Sequence, residues 1–330
     1  MDVTLREFGP DDAESVAALV AVENACLVDA PWWPPSTVFR QRMRMIHGDG
    51  TETARFYLVE HAGVTVGRLA VHLPLHDNLD LSWIELSVDP DHRRRGHGNA
   101  AMDLAFEVVG EDGRSKVGWF GWDNETTRGF AAARGSEAKS VAVSRRQHVR
   151  ELEPGLAEEL YAEALPHSAG YELLRVADHV PDDLLPDFLE ATAAINDAPR
   201  DDLEYEDEVF SAERNRAFED SLLASDFRIY RLLARHSATG EIAGVTSMLV
   251  DGETGTHADQ LDTSVVGAHR GHRLGLLLKA DMLRWLAETE PALAAIDTFN
   301  AESNDHMVAV NDRLGYVVMG RELQYQDAIG

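Results

Sequence analysis

Hydrophobic residues along this chain switch repeatedly between two periods. Phe56–Glu60 and Val64–Leu73 alternate apolar and polar positions around a His-Ala-Gly turn, which predicts a β-hairpin. Ala101, Leu104, Ala105 and Val108 recur at helical spacing, so a helix is predicted there. The same reading gives strands at Val3–Phe8, Leu81–Val88, Val117–Trp122 and Lys139–Arg145. Helices are predicted at Asp11–Val28, Ser36–Ile46 and Thr126–Arg134, the first capped by an Asp. The order then starts again. Strand Tyr171–Val176 is followed by helices Leu184–Ile195 and Glu208–Leu223 and a hairpin of Arg228–Ala234 with Ile242–Val250. Next come strand Asp262–Val266 and a helix carrying the stripe Leu278, Met282, Trp285 and Leu286. Strand Ala294–Phe299, helix Asn304–Leu314 and strand Tyr316–Gln324 complete the second round.

The residues repeat as well as the pattern. WIELSVDPDHRRRGHG (83–98) aligns without gaps on QLDTSVVGAHRGHRLG (260–275) at an offset of 177. VDAP (28–31) matches NDAP (196–199) at 168, and an Asn eleven residues before a Gly recurs at 180. Three matches in one order argue for a duplicated domain. The expected division is 1–150 and 170–330, joined by a linker (151–169) in which Pro154-Gly155 and Pro166 bracket a short helix. With about two domains' worth of chain, each half is long enough to bury a core.

Composition narrows the function classes. The 330 residues are 44% hydrophobic, with 30 Lys+Arg against 58 Asp+Glu and a net charge of −28. Such a body repels nucleic acid and anionic membranes and favours cationic small molecules. One cysteine, Cys26, excludes an intramolecular disulfide and a cysteine metal cluster. His72 and His76 are separated by Pro74, so no helix presents them together, and no metal is expected. With no signal-peptide pattern at the N-terminus and no long apolar run, a cytoplasmic location is expected.

Against that charge, three arginines in a row precede Gly96-His97-Gly98, between a strand and a helix. Nucleic acid, a solvated cluster and a phosphate-bearing cofactor are the candidate explanations. A strand, a Gly-rich turn and an open helix N-terminus form an anion-binding arrangement. The spacing is neither that of a Walker A loop nor that of a dinucleotide fingerprint. Arg93-x-x-Gly96-x-Gly98 after Val88-x-Pro90 resembles the pyrophosphate loop of the GNAT superfamily of N-acetyltransferases. The second copy, Arg270-Gly271-His272-Arg273-Leu274-Gly275, departs from it at Arg273, where a glycine is expected. Asn304 with Gly315-Tyr316 also fits the family; Asn124 with Gly135-Ser136 fits without the aromatic. The two-copy arrangement is similar to that of mycothiol synthase, a member of the family.

The resemblance implies an α/β fold with mixed sheets: two tandem GNAT-like acyl-CoA N-acyltransferase domains, each a mostly antiparallel twisted sheet flanked by helices. It implies acetyl-CoA as cosubstrate, held by Val88, Arg93, Arg94, Arg95, Gly96, His97, Gly98 and Asn124 in one half. In the other half the corresponding residues are Val265, Val266, Arg270, Gly271, His272, Arg273, Leu274, Gly275 and Asn304. A carboxylate three residues before the carbonyl-binding valine often serves as base, which points to Glu85 and Asp262. Bland alternatives stand beside these readings: a polar residue on a strand for each carboxylate, a helix cap for Asn304, a solvated side chain for Asn311. The family's usual acid, a Tyr, is replaced by Ala131 and Asn311. Asn311 is carried as a candidate site residue on the helix face it shares with Asn304. The acidic run 201–208 reads either as a solvated segment or as the mouth of an acceptor site; its counterpart Pro31–Pro35 is aromatic and apolar. The expected activity is acetyl transfer to a primary amine of a small, cationic molecule, by a monomer or homodimer. A non-catalytic acyl-CoA sensor is the alternative, supported by the missing Tyr.

Overall fold

The computed structural model describes residues 2–329, which form two units. The first unit takes the chain through Ala142, then Arg200–Glu206 and the chain from Gly320. Its sheet follows the order β1 (Val3–Phe8), β2 (Glu52–His61), β3 (Val64–Pro74), β4 (Leu81–Val88), β5 (Lys116–Trp122) and the end of β12 (Tyr316–Ala328). Neighbours are antiparallel except β4 and β5, which run parallel. The crossover between them is α3 (His97–Glu111), whose Ala101, Met102, Ala105 and Val109 are buried against the sheet. Helices α1 (Ala13–Ala25) and α2 (Val38–His47) precede β2, and α4 (Glu125–Arg134) follows β5. The helix expected over Asp11–Val28 is capped by Asp12, and its last residues tighten into a 3-10 turn, Cys26–Asp29.

The second unit, Val143–Pro199 with Asp207–Met319, repeats this plan. Its order is the end of β6 (Ala138–His148), then β11 (Ala295–Ala301), β10 (His257–Val265), β9 (Ile242–Asp251), β8 (Phe227–His236) and β7 (Tyr171–Ala177). Here β10 and β11 are the parallel pair. Helix α8 (Leu274–Thr289) is their crossover, accompanied by α5 (Leu156–Ala164), α6 (Leu185–Ala193), α7 (Ala212–Ala224) and α9 (Asp305–Arg313). Strand β10 starts five residues before its expected position, because His-Ala-Asp-Gln-Leu carries too little apolar signal to announce a strand.

The outermost β5 and β11 partners come from distant sequence. Glu322–Ala328 pairs with Trp122–Lys116 in the first unit, and Arg146 of β6 holds Asp297 of β11 through two bonds of 2.6 and 2.7 Å in the second. The acidic segment is also placed by specific bonds. Asn78 and Glu206 exchange reciprocal backbone–side-chain bonds, Ser140 Oγ donates to Asp201, and the Glu204 N–H donates to Gln326. These bonds tie Arg200–Glu206 into the first unit, with its carboxylate residues exposed. Trp32 and Trp33 pack on Trp122, also in the first unit.

Candidate active site

Both loops have the same backbone. Arg94 and Gly96 take positive φ values of 61° and 84°, and Gly271 and Arg273 take 87° and 55° at the equivalent places. The glycine is exchanged between the two positions, and one arginine per loop carries the left-handed strain. In each half the first arginine is a strut. Arg93 Nε donates to Val88 O, and its guanidinium is 2.7 Å from Asp29; Arg270 Nε donates to Val265 O and pairs with Asp197 at 2.6 Å. Asp29 and Asp197 are the aspartates of VDAP and NDAP, so that sequence match records a structural pair.

The remaining loop residues differ between halves. Arg95 donates to Asp91 O, and no ion pair is recorded for Arg94 or Arg95 among the described residues. Arg273 turns to Glu163 at 2.5 Å. His97 is buried with Nδ1 unpartnered, whereas His272 approaches His167 O. A side chain at Gly98 would meet Phe130 of α4 at 3.3 Å, while space around Gly275 is open. Leu274 is buried under its loop. Asn124 and Asn304 both cap their helices, accepting from the Thr127 and Met307 N–H groups.

Beyond the loops the parallel strands part. Strands β4 and β5 pair through Ile84 and Trp119; β10 and β11 pair only through Asp259 and Asp297. In each half the next backbone donor points back to the hairpin: Asp89 N–H to Val66 O, and Val266 N–H to Ala243 O. Alternation therefore turns the N–H groups of Val88 and Val265 toward the gap. Val266 itself is committed to the sheet. Gly67 and Gly244 make this approach possible, since a Cβ would lie 2.5 and 2.9 Å from the Ser87 and Ser264 carbonyls. The arrangement offers a helix N-terminus for an anion, a gap for an extended arm and a donor for a carbonyl.

The comparisons agree with this geometry. Residues 19–135 match the acetyltransferase (GNAT) family model. That match lies wholly within the first half. A solved tandem GNAT protein from the clavulanic acid biosynthesis pathway is similar over 100% of this chain and 99% of its own, at 25% identity and a TM-score of 0.82. The tandem GNAT arrangement therefore extends over the whole chain. A GCN5-related N-acetyltransferase from Sphaerobacter thermophilus shares the fold at 16% identity and a TM-score of 0.68, covering 99% of this chain and 96% of its own. No curated protein matches the sequence.

Within the GNAT frame, the two halves treat their carboxylates oppositely. Glu85 is enclosed by cations: Arg44 at 2.5 Å, Arg68 at 2.7 Å and His72 at 3.4 Å. Burial would raise its carboxyl, but Arg44, Arg68 and His72 hold it well below the usual range. Desolvation works against the charge on His72, yet hydrogen bonds to Glu52 and Glu85 push it up to about 9. Arg44, Arg68 and His72 carry no loop signature; sequence reasoning weighed His72 only as a metal ligand and passed over both arginines, and only α2 and β3 folding together assembles them.

In the second unit the gapless alignment breaks at one place. Leu261 and Asp262 together oppose Ser247, a β-bulge that adds a residue to β10. Counted back from Val265, Gln260 is then the equivalent of Ile84, and Asp262 belongs to the bulge. Ser264 is buried, donating to Ala191 O, while Asp262 is exposed. Desolvation raises the Asp262 carboxyl although solvent reaches it. No cation pairs with it among the described residues. Asn311 is fully buried, with Oδ1 accepting from Lys279 and Nδ2 donating to Asn300.

Proposed function

We propose that the protein transfers the acetyl group of acetyl-CoA directly to a primary amine of a small molecule, with the chemistry in the second unit. Acyl transfer is the chemistry of the GNAT family. The contrast between the two carboxylates supports this assignment. Glu85 is neutralised by three cations, whereas Asp262 stands on a bulge, accessible and with a raised carboxyl. A base must be able to take a proton from the incoming ammonium, and a raised carboxylate is better matched to that task. The Val265 N–H would polarise the thioester carbonyl. The open start of α8 would take the pyrophosphate, and Arg94 and Arg95 of the first loop, neither paired with a carboxylate among the described residues, suit a second acetyl-CoA.

Calorimetric titration with acetyl-CoA tests the reading, comparing wild type with Gly275→Trp, whose new side chain enters open space. Loss of one binding event, followed by loss of amine acetylation, supports it. Binding without turnover across an amine panel would instead favour a sensor. Absence of binding would return the arginines to a surface charge cluster.

A further inference from the structure

A lysine is buried in the second unit without a carboxylate. Lys279 on α8 is 3% exposed, and its Nζ lies 2.6 Å from Asn311 Oδ1 and 5.1 Å from the centre of the Tyr316 ring. Asn311 Nδ2 in turn lies 2.6 Å from Asn300 Oδ1. An ammonium can only donate, so Asn311 must present its oxygen to Lys279 and its nitrogen to Asn300. Asn300 must then accept with its oxygen, leaving its own Nδ2 at the outer end. Every donor in the chain points the same way. Asn300 is half-buried on β11, three residues and about 10 Å past Asp297, where pairing with β10 stops.

The first unit serves as an internal control. Its equivalents of Lys279, Asn300 and Asn311 are Met102, Gly121 and Ala131, none with a polar side chain. The three polar residues therefore occur together, in the half whose carboxylate is available. Burying an unpaired ammonium is costly, and desolvation pushes Lys279 down to about 7. An anion arriving at the end of the chain would offset that cost.

Resting on the acyl-transfer reading, we propose that Lys279, Asn311 and Asn300 form a one-way hydrogen-bond chain whose terminal Asn300 amide donates to the sulfur of the departing thiolate. In the step, the amine nitrogen bonds to the acyl carbon, the C–S bond breaks and its electron pair leaves on sulfur. Asp262 takes one proton from the ammonium before attack, and the second proton, which the nitrogen sheds once the new bond has formed, passes to solvent. The chain moves no proton; it stabilises the thiolate. Lys279 and Asn311 are positioning residues, and Asn300 is the group that touches the sulfur. This assigns work to Asn311, which stands in the second half where the family's usual acid would be.

The test compares CoA with acetyl-CoA for the binding event that Gly275→Trp abolishes, using wild type, Lys279→Met, Asn300→Leu and Asn300→Asp. Wild type should prefer CoA and show the ultraviolet band of a bound thiolate at a pH where free CoA is mostly thiol. Lys279→Met and Asn300→Leu should lose about tenfold of that preference with little change in acetyl-CoA affinity. Asn300→Asp, which replaces a donor by an acceptor, should lose more. If the folded variants keep the wild-type preference and the thiolate band, the chain has no such role. If Lys279→Met does not fold, the half-buried Asn300 variants decide. Failure of wild type to bind acetyl-CoA overturns the acyl-transfer reading and this proposal with it, whereas unchanged ratios overturn this proposal alone.

Discussion

Replacing Glu85 by Gln separates the two halves of the protein. In the wild type its carboxylate accepts from Arg44 Nη2 at 2.5 Å and Arg68 Nη1 at 2.7 Å, beside a His72 held protonated by Glu52 and Glu85. Glu23, Glu52 and Glu85 balance Arg44, Arg68 and His72 in this cluster. Glu85→Gln keeps the shape and leaves one positive charge uncompensated. Breaking a buried pair by removing one partner costs about 3–5 kcal/mol. The Arg44 side chain is 36% exposed, so water screens part of the loss and the expected cost is about 3 kcal/mol. For a unit of this size that corresponds to a melting transition about 6–12 °C lower. Differential scanning calorimetry at neutral pH measures it. Acetylation assayed well below the transition should stay within twofold of wild type, because Glu85 is already occupied by cations. A folded Glu85→Gln protein without activity would refute the assignment of chemistry to the second unit. An unchanged transition would refute the energetic reading of the cluster.

The pH dependence of stability should have opposite signs in the two units. His72 is raised from 6.5 to about 9 on folding, so its contribution is fully present below 6.5 and is lost as pH climbs through 9. The loss amounts to up to about 3 kcal/mol, and His72→Gln should flatten it in calorimetric scans. Lys279 is lowered from 10.5 to about 7, so the unfolded chain binds the extra proton between those values. The second unit should gain up to about 5 kcal/mol across that range, and Lys279→Met, the residue type found at Met102, should remove the gain. Asp262→Asn should lower acetyl transfer by about 100-fold or more with an unaltered melting curve, since the side chain is exposed and unpaired; a steady-state assay checks both limbs.

Sequence alone determined the features that repeat locally. The hairpins, the crossover helices and the strand–loop–helix around Arg93 and Arg270 each follow from periodicity and glycine placement within about twenty residues. Even the VDAP and NDAP matches pointed to a true contact, because Asp29 and Asp197 anchor the loop arginines. Tertiary structure decided what depends on partners distant in the chain. An apolar alternation defines a strand but not its neighbour, so nothing in Glu322–Ala328 shows that it pairs with β5. Glu85 and Asp262 look equivalent in the alignment. They differ because α2 and β3 bring Arg44, Arg68 and His72 to one of them, and a single inserted residue in β10 turns the other outward. Asn311, which sequence left as a solvated or site-facing residue, is buried because Lys279, two elements away, needs an acceptor. Charge, burial and proton affinity are set by what surrounds a side chain, and the surroundings are assembled only when the chain folds.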